Sequence, residues 1–368
     1  MKLIILRNNL KEGLVAIKGS AGSKSSNLPI LKNVLITTTK SKILLSATDL
    51  EIGSTYQISG KVIQEGKASV LLDSLLDIVA NLTSPKLNLE SKSDSLIIKS
   101  DNYQARLISS DPDEFPIIPE ISNKDRFIEI NTDVLKKMLL EITPAISYSE
   151  IRPEISGMLF NFSLNNLTIA GTDSFRLAEK CVYSRSFNTN FEHSFRVIIP
   201  LKLIKELLRV LPPGQQAQIL FDSNQVMFKF LNQQIISRLI EGEFPEYKTK
   251  IPKKFNTEIV VSKSELLEAL KLASIFAQQN QQIKLKLGQN YLKVSSASAS
   301  LGENYYLVPA KVSGKLGEII FNLNYFLDGL KCIEEKKVFL GLNQEDQPAL
   351  IKGLEDNSFI YILMPIKY

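Results

Sequence analysis

One histidine, His193, and two cysteines, Cys181 and Cys332, are the whole supply of neutral-pH bases and thiols in 368 residues. A Ser/His/Asp or Cys/His site needs a base that titrates near neutrality, and only His193 could supply it in the usual way. It lies in Asn190-Phe191-Glu192-His193-Ser194-Phe195, with no Gly-x-Ser-x-Gly sequence to pair with it, and reads as an exposed loop residue. A histidine-based zinc site is excluded by the count. Neither the Gly-x-x-x-x-Gly-Lys-Ser/Thr nor the Gly-x-Gly-x-x-Gly phosphate loop occurs. Catalysis would therefore have to rest on carboxylates. Asp49 and Asp173 sit in matching Thr-Asp dipeptides, and Asp111, Asp113 and Glu114 cluster. Such groups could hold two metal ions for phosphodiester hydrolysis. Yet a Thr-Asp that recurs at matching positions is what a structural turn does after duplication, because Asp bonds its own backbone in turns. The recurrence favours the turn over a carboxylate-dependent metal nuclease.

The elements that position these residues repeat. Sliding the chain by 124 positions lays Pro29 on Pro153, Leu31 on Ile155 and Thr48-Asp49 on Thr172-Asp173. It also places Val34-Leu35-Ile36 on Met158-Leu159-Phe160, and Ile43 and Leu45 on Leu167 and Ile169. Arg106-Leu107-Ile108 followed by Glu114-Phe115-Pro116 recurs as Arg238-Leu239-Ile240 followed by Glu243-Phe244-Pro245. A third copy shows only as pattern. A helix is expected from Ser262, with Glu265 completing a capping box and Leu266, Leu270, Ala273 and Ala277 on one face. A hairpin follows, with Ile283, Leu285 and Leu287 before a Gly288-Gln289-Asn290 turn and Leu292 and Val294 after it. Phe326, Leu327, Leu330 and Ile333 then mark another helix. The second segment gives a helix from about Thr132, a hairpin from Leu159 to Ala170 and a helix through Ile204, Leu207, Leu208 and Leu211. The first gives Leu10, Leu14 and Ile17, then a hairpin, then Leu75, Ile78, Val79 and Leu82. Three α+β domains with mainly antiparallel sheets are expected, over 1–122, 123–253 and 254–368.

Composition agrees with a globular protein. The net charge is +5, 23% of residues are charged and 44% are hydrophobic, which argues against long disorder, collagen-like sequence and mucin-like tracts. Two widely spaced cysteines do not make a disulfide framework, so a reducing cytoplasm is expected. No apolar run approaches the ~18 residues of a membrane span. Met1-Lys2-Leu3-Ile4-Ile5-Leu6-Arg7 is too short an apolar stretch for a signal peptide.

These ordered segments resemble the bacterial sliding-clamp family, the beta subunits of DNA polymerase III. The matching stretches are Leu28–Leu35, Ala47–Ile52, Asp113–Pro116, Gly157–Phe160, Thr172–Ala178, Gly242–Tyr247, Phe321–Leu327 and the terminal Met364-Pro365-Ile366-Lys367-Tyr368. The resemblance implies three tandem DNA-clamp domains with antiparallel sheets outside and helices lining a central hole, in a head-to-tail dimeric ring. It implies a non-catalytic processivity factor with no cofactor or metal, which encircles duplex DNA regardless of sequence. A non-DNA scaffold on the same fold is the remaining alternative.

The family's roles map onto this chain residue by residue. Lys202, Lys205 and Arg209 form a basic stripe on one amphipathic helix; Lys11, Lys18 and Lys24 near the first helix, and Lys136 and Lys137 on the third, join them as DNA-facing cations. The helix from Leu72 to Leu82 carries Asp73 and Asp77 instead. Linear peptides of the replicative polymerase, the clamp loader and repair polymerases are expected to bind a pocket built from Ile155, Thr172, Phe175, Arg176 and Leu177. Pro245, Thr249, Ile362, Met364, Pro365 and Ile366 complete it. Ser174-Phe175 stand where the family usually has Gly-His, and Phe175 and Tyr368 are expected to narrow or reshape the pocket. The subunit contact is expected to join Ala105 and Leu107 on an edge strand to Ile275 and Phe276 on a helix of the other copy.

Overall fold

The computed structural model describes residues 1–23, 27–314 and 317–367. Lys24, an expected DNA-facing cation, and Tyr368 fall outside them. Among the described residues there are six α-helices: α1 (Arg7–Ile17), α2 (Leu72–Asn81), α3 (Thr132–Ile142), α4 (Leu201–Val210), α5 (Lys263–Phe276) and α6 (Leu323–Cys332). Each follows a β-strand without a break, α1 after Lys2–Leu6 and α6 after Glu318–Asn322, for example. The expected apolar faces are the buried ones: Leu10, Leu14 and Ile17 in α1, and Leu266, Leu270 and Ala273 in α5, are all fully buried.

The 124-position shift holds element by element. Strand Asn33–Thr38 maps onto Gly157–Phe162, and strand Ile52–Ile58 starts where Arg176–Tyr183 starts in the next copy. The short 3-10 turns Pro29–Lys32 and Pro153–Ile155 precede each pair, with Leu31 and Ile155 buried at equivalent places. The expected capping box at α5 is not formed. Ser262 makes no side-chain cap, and its hydroxyl lies 3.0 Å from that of Ser264 instead.

The chain divides into two compact units: Met1–Asp133 with Phe187–Phe191 and Lys205–Leu239, and Val134–Ser186 with Glu192–Ile204 and Ile240–Tyr368. Each unit takes in strands from more than one of the expected domains, because strand pairing joins neighbouring domains. In the first unit Gln233–Arg238 pairs antiparallel with Ile52–Ile58, in the middle of a 14-stranded sheet. In the second, Arg176–Tyr183 pairs antiparallel with Phe359–Leu363 within a 12-stranded sheet.

Within the first unit α1 and α2 pack side by side on the sheet over a core that includes Val34, Ile36, Leu45 and Val70. Gly13 allows the close approach, since a Cβ there would lie 2.7 Å from Leu45 and 2.8 Å from Ile58. Within the second unit α5 packs against α6. A Cβ at Gly329 would lie 2.3 Å from the Tyr361 ring, so only glycine lets α6 rest on it. Tyr361 donates its hydroxyl to the Tyr325 carbonyl (2.9 Å), which fixes that contact. Among the described residues no helix is long and apolar enough to cross a membrane.

Candidate functional sites

The two Thr-Asp turns are built alike. Asp49 accepts the amides of Glu51 (3.0 Å) and Ile52 (2.9 Å), while Thr48 donates to the Ile52 carbonyl and accepts the Leu50 amide. Asp173 accepts the amides of Phe175 and Arg176 at 3.0 Å, and Thr172 donates to the Arg176 carbonyl at 2.7 Å and accepts the Ser174 amide at 3.1 Å. The third turn residue is left-handed in each, Leu50 at φ 75 and Ser174 at φ 77. Non-glycine residues hold that conformation only where neighbours over-determine it, as these hydrogen bonds do. Both aspartates thus serve the backbone. Among the described residues no three His, Cys, Asp or Glu side chains converge as a metal set, and His193 is exposed in its loop.

Unit two holds every residue of the expected peptide pocket. Successive strand residues point to opposite sides, so Leu177 and Arg176 part company. Leu177 stands opposite Ile362, which stands opposite Leu350. With Leu159, Ala170 and Tyr247 they form one apolar cluster, onto which Phe244, Phe255 and Phe339 pack. Tyr247 donates its hydroxyl to Glu179, and burial, reinforced by that carboxylate, drives its pKa up. Leu177 and Ile362 are buried, whereas Met364, Pro365, Ile366 and Pro245 are half-buried and Thr249 and Phe175 are exposed. The Met364 amide donates to the Phe175 carbonyl (2.8 Å) and the Ile366 amide to the Ile320 carbonyl (2.8 Å), which tethers the terminal segment beside the turn. Ile155 is buried in its 3-10 turn.

Arg176 takes the other face. Its guanidinium pairs with Asp173 (2.9 Å) and Asp328 of α6 (2.6 Å), 4.0 Å above the Tyr325 ring. Burial opposes the charge, but Tyr361, Asp328 and Asp173 outweigh it and raise the pKa. With a side chain only 9% exposed, Arg176 braces the turn rather than offering a free charge to a ligand. Tyr325, Asp328, Tyr247 and Glu179 escaped the sequence reading. Tyr325 and Tyr247 lie inside matched stretches, but nothing local marks the other two.

The expected DNA-facing cations differ in what holds them. In the first unit Lys11 is exposed on α1. Lys18 lies just past α1 in a 3-10 turn and pairs with Asp73 of α2 at 2.8 Å, which answers the acidic face of that helix. Arg209 is engaged structurally. It grips Glu206 (2.6 Å) and donates to the carbonyls of Val15 (2.8 Å) and Ala16 (2.7 Å), closing the C-terminal end of α1 where a cation is favoured. Lys205 is exposed. In the second unit Lys202 is exposed and Lys136 half-buried. Lys137 pairs with Glu334 (2.5 Å); burial works against its charge, but Glu334, Glu141 and Asp356 together outweigh it and raise the pKa, and Lys137 in turn lowers that of Glu334.

Tyr56 lines a cavity of about 430 Å3 with Lys11, Glu12 and Arg209. Burial first, then the hydrogen bond to Glu12 (2.7 Å), push its pKa from 10.0 to about 12. A raised pKa means stability that is fully present below the ordinary value and is lost as pH rises through the shifted one. Between pH 10 and pH 12 Tyr56→Phe is therefore expected to flatten the fall in urea midpoint; an identical fall in both proteins contradicts the assignment.

The strand expected to form the subunit contact, Gln104–Ser110, is an edge over part of its length. Over Gln104–Ile108 the strand pairs on one side with Ser95–Lys99, and its ladder to Gly66–Leu71 begins only at Ser109. Leu107 packs onto the first unit's core, directly opposite Leu96, so the apolar residue this edge presents is Ile108, 86% exposed. On α5 Ile275 is 50% exposed, while Phe276 is half-buried.

Known proteins match along the whole chain. Family models for the N-terminal, central and C-terminal domains of the DNA polymerase III beta subunit match residues 1–119, 129–246 and 248–367. The beta sliding clamp of Chlamydia pneumoniae is 28% identical over 100% of this chain and 99% of its own length. That of Staphylococcus epidermidis is 30% identical, covering 98% and 96%. Among solved structures, the DNA polymerase sliding clamp of Bacillus subtilis superposes with a TM-score of 0.95 at 26% identity over 100% and 99% of the two chains. The DNA polymerase III beta subunit of Thermotoga maritima gives 0.90 at 26% over the same shares.

Proposed function

The chain belongs to the DNA polymerase III beta subunit family, and from that membership we propose how its surfaces are used. It is a sliding clamp, a non-catalytic processivity factor of DNA polymerase built from three tandem clamp domains. The observation that carries this is coverage: all three domain descriptions match in order, and a relative at 30% identity spans nearly all of both chains. Two copies join head to tail into a ring in the cytoplasm, and lysines of the strand-following helices face the duplex. Phosphate contacts attract without reading sequence. A protein that must travel cannot hold each phosphate tightly, so scattered lysines suit it and closure supplies the persistence.

Partners, among them the replicative polymerase, the clamp loader and repair polymerases, dock through linear peptides beside the Thr172–Leu177 turn. An apolar cluster edged by half-buried Met364 and Pro365 and by exposed Phe175 supports that placement, since such a rim suits two or three apolar side chains of an extended segment. The test is primer extension on a primed circular template with polymerase and loader. The protein is expected to convert short products to full-length ones, and Met364→Glu to abolish that while leaving the urea midpoint unchanged. Equal product lengths with and without the protein overturn the reading.

A further inference from the structure

A second groove, of about 750 Å3, lies within the first unit. Leu35, Leu44, Met227 and Ile236 contribute its apolar lining, and the segment Pro112 to Pro119 forms a wall. Four lysines, Lys42, Lys67, Lys124 and Lys229, line it against two acids, Asp113 and Glu120. Both acids are engaged, Asp113 with Lys67 (3.0 Å) and Glu120 with Lys124 (2.6 Å). Lys42 and Lys229 are exposed and leave the groove with a positive excess.

The repeat gives this groove its meaning. The 124-position shift that superposes the two Thr-Asp turns puts Gly53 at the place of Leu177, and Phe115-Pro116 recurs as Phe244-Pro245. The same construction thus appears twice, with different contents. Where Leu177 stands in one copy, Gly53 in the other lets Ile118 of the wall segment close onto the strand, since a Cβ there would lie 2.7 Å from Ile118 and 3.2 Å from Ile236. Beside Ile118, Ile117 is 93% exposed.

We infer that this groove is a second docking site, and that it takes an acidic extended peptide whose alternate residues are aliphatic. An extended strand presents side chains to alternate sides, so one set meets the half-buried Leu35 and Leu44 and the exposed Leu231 while the acidic set meets Lys42 and Lys229. A single nucleic-acid strand fits less well, because base stacking needs exposed aromatic platforms and the one aromatic in the lining, Phe115, is buried. The inference extends beyond the partner site of the second unit and does not depend on it.

Fluorescence anisotropy with the whole protein and a labelled dodecapeptide of alternating Glu and Leu tests the assignment. Saturable binding is expected, weakened roughly tenfold by Lys42→Glu with Lys229→Glu and weakened by added salt. Lys92→Glu with Lys99→Glu, exposed in the same unit but outside the groove, should change affinity less than twofold. Phe175→Ala with Met364→Ala, in the other unit, should leave it unchanged, which separates this site from the partner site. Absent binding, equal loss in both lysine pairs, loss only in the Phe175/Met364 protein, or full displacement by oligothymidylate overturns the inference.

Discussion

Arg176→Met is expected to destabilise the second unit by about 3–5 kcal/mol, the cost of removing one partner from a buried charge cluster. The side chains of Arg176 and Asp173 are 9% and 5% exposed, so water cannot take over the lost interaction. Asp328, on α6, would also lose its 2.6 Å partner and the contact that ties the helix to the turn. Urea unfolding followed through hydrogen exchange of strand Arg176–Tyr183 measures this. The double change Arg176→Met with Asp328→Asn should recover part of the loss, because it relieves one of the two stranded carboxylates. A loss below 1 kcal/mol would mean that the turn stands on its backbone bonds alone.

Ile275→Asp, with Ile108→Asp as an independent second variant, is expected to separate the proposed two-copy particle while leaving each chain folded. Both positions are exposed within the chain, at 50% and 86%, so the fold does not depend on them. Burying a lone carboxylate in an apolar contact costs about 3 kcal/mol or more, which weakens association at least a hundredfold. Sedimentation equilibrium should shift from two copies to one at micromolar protein with unchanged urea midpoints. Association unaffected by either change would move the interface elsewhere.

What the sequence disclosed, and what it hid, follows from range. The helix faces were legible because apolar spacing is a local property: Leu10, Leu14 and Ile17 declare α1 without reference to the rest of the chain. The Thr-Asp turns were legible as structural because duplication printed them twice. By contrast, the partners of Arg176 include Asp328, 152 positions away, and no periodicity links them. The alternation that sends Arg176 and Leu177 to opposite faces was available once the strand was assigned, but a motif that names both residues treats them as one surface. The edge strand has the same alternation. Leu107 stands opposite Leu96 and is half-buried, whereas its neighbour Ile108 is 86% exposed. Arg209 sat correctly on a basic stripe, yet two carbonyls of another helix hold its guanidinium. At Ser262 the sequence for a capping box is present, but the hydroxyl is turned to Ser264.

Retention of the duplex is proposed to come from enclosure and not from grip. The most direct measurement loads the labelled protein onto a nicked circular plasmid, isolates the complex at high salt, and then linearises the DNA with a single-cutting nuclease. Persistence on the circle followed by loss within minutes of the cut is the expected result, because a closed ring can leave only over an end. Protein that stays bound after linearisation, or that leaves the intact circle equally fast, contradicts the account.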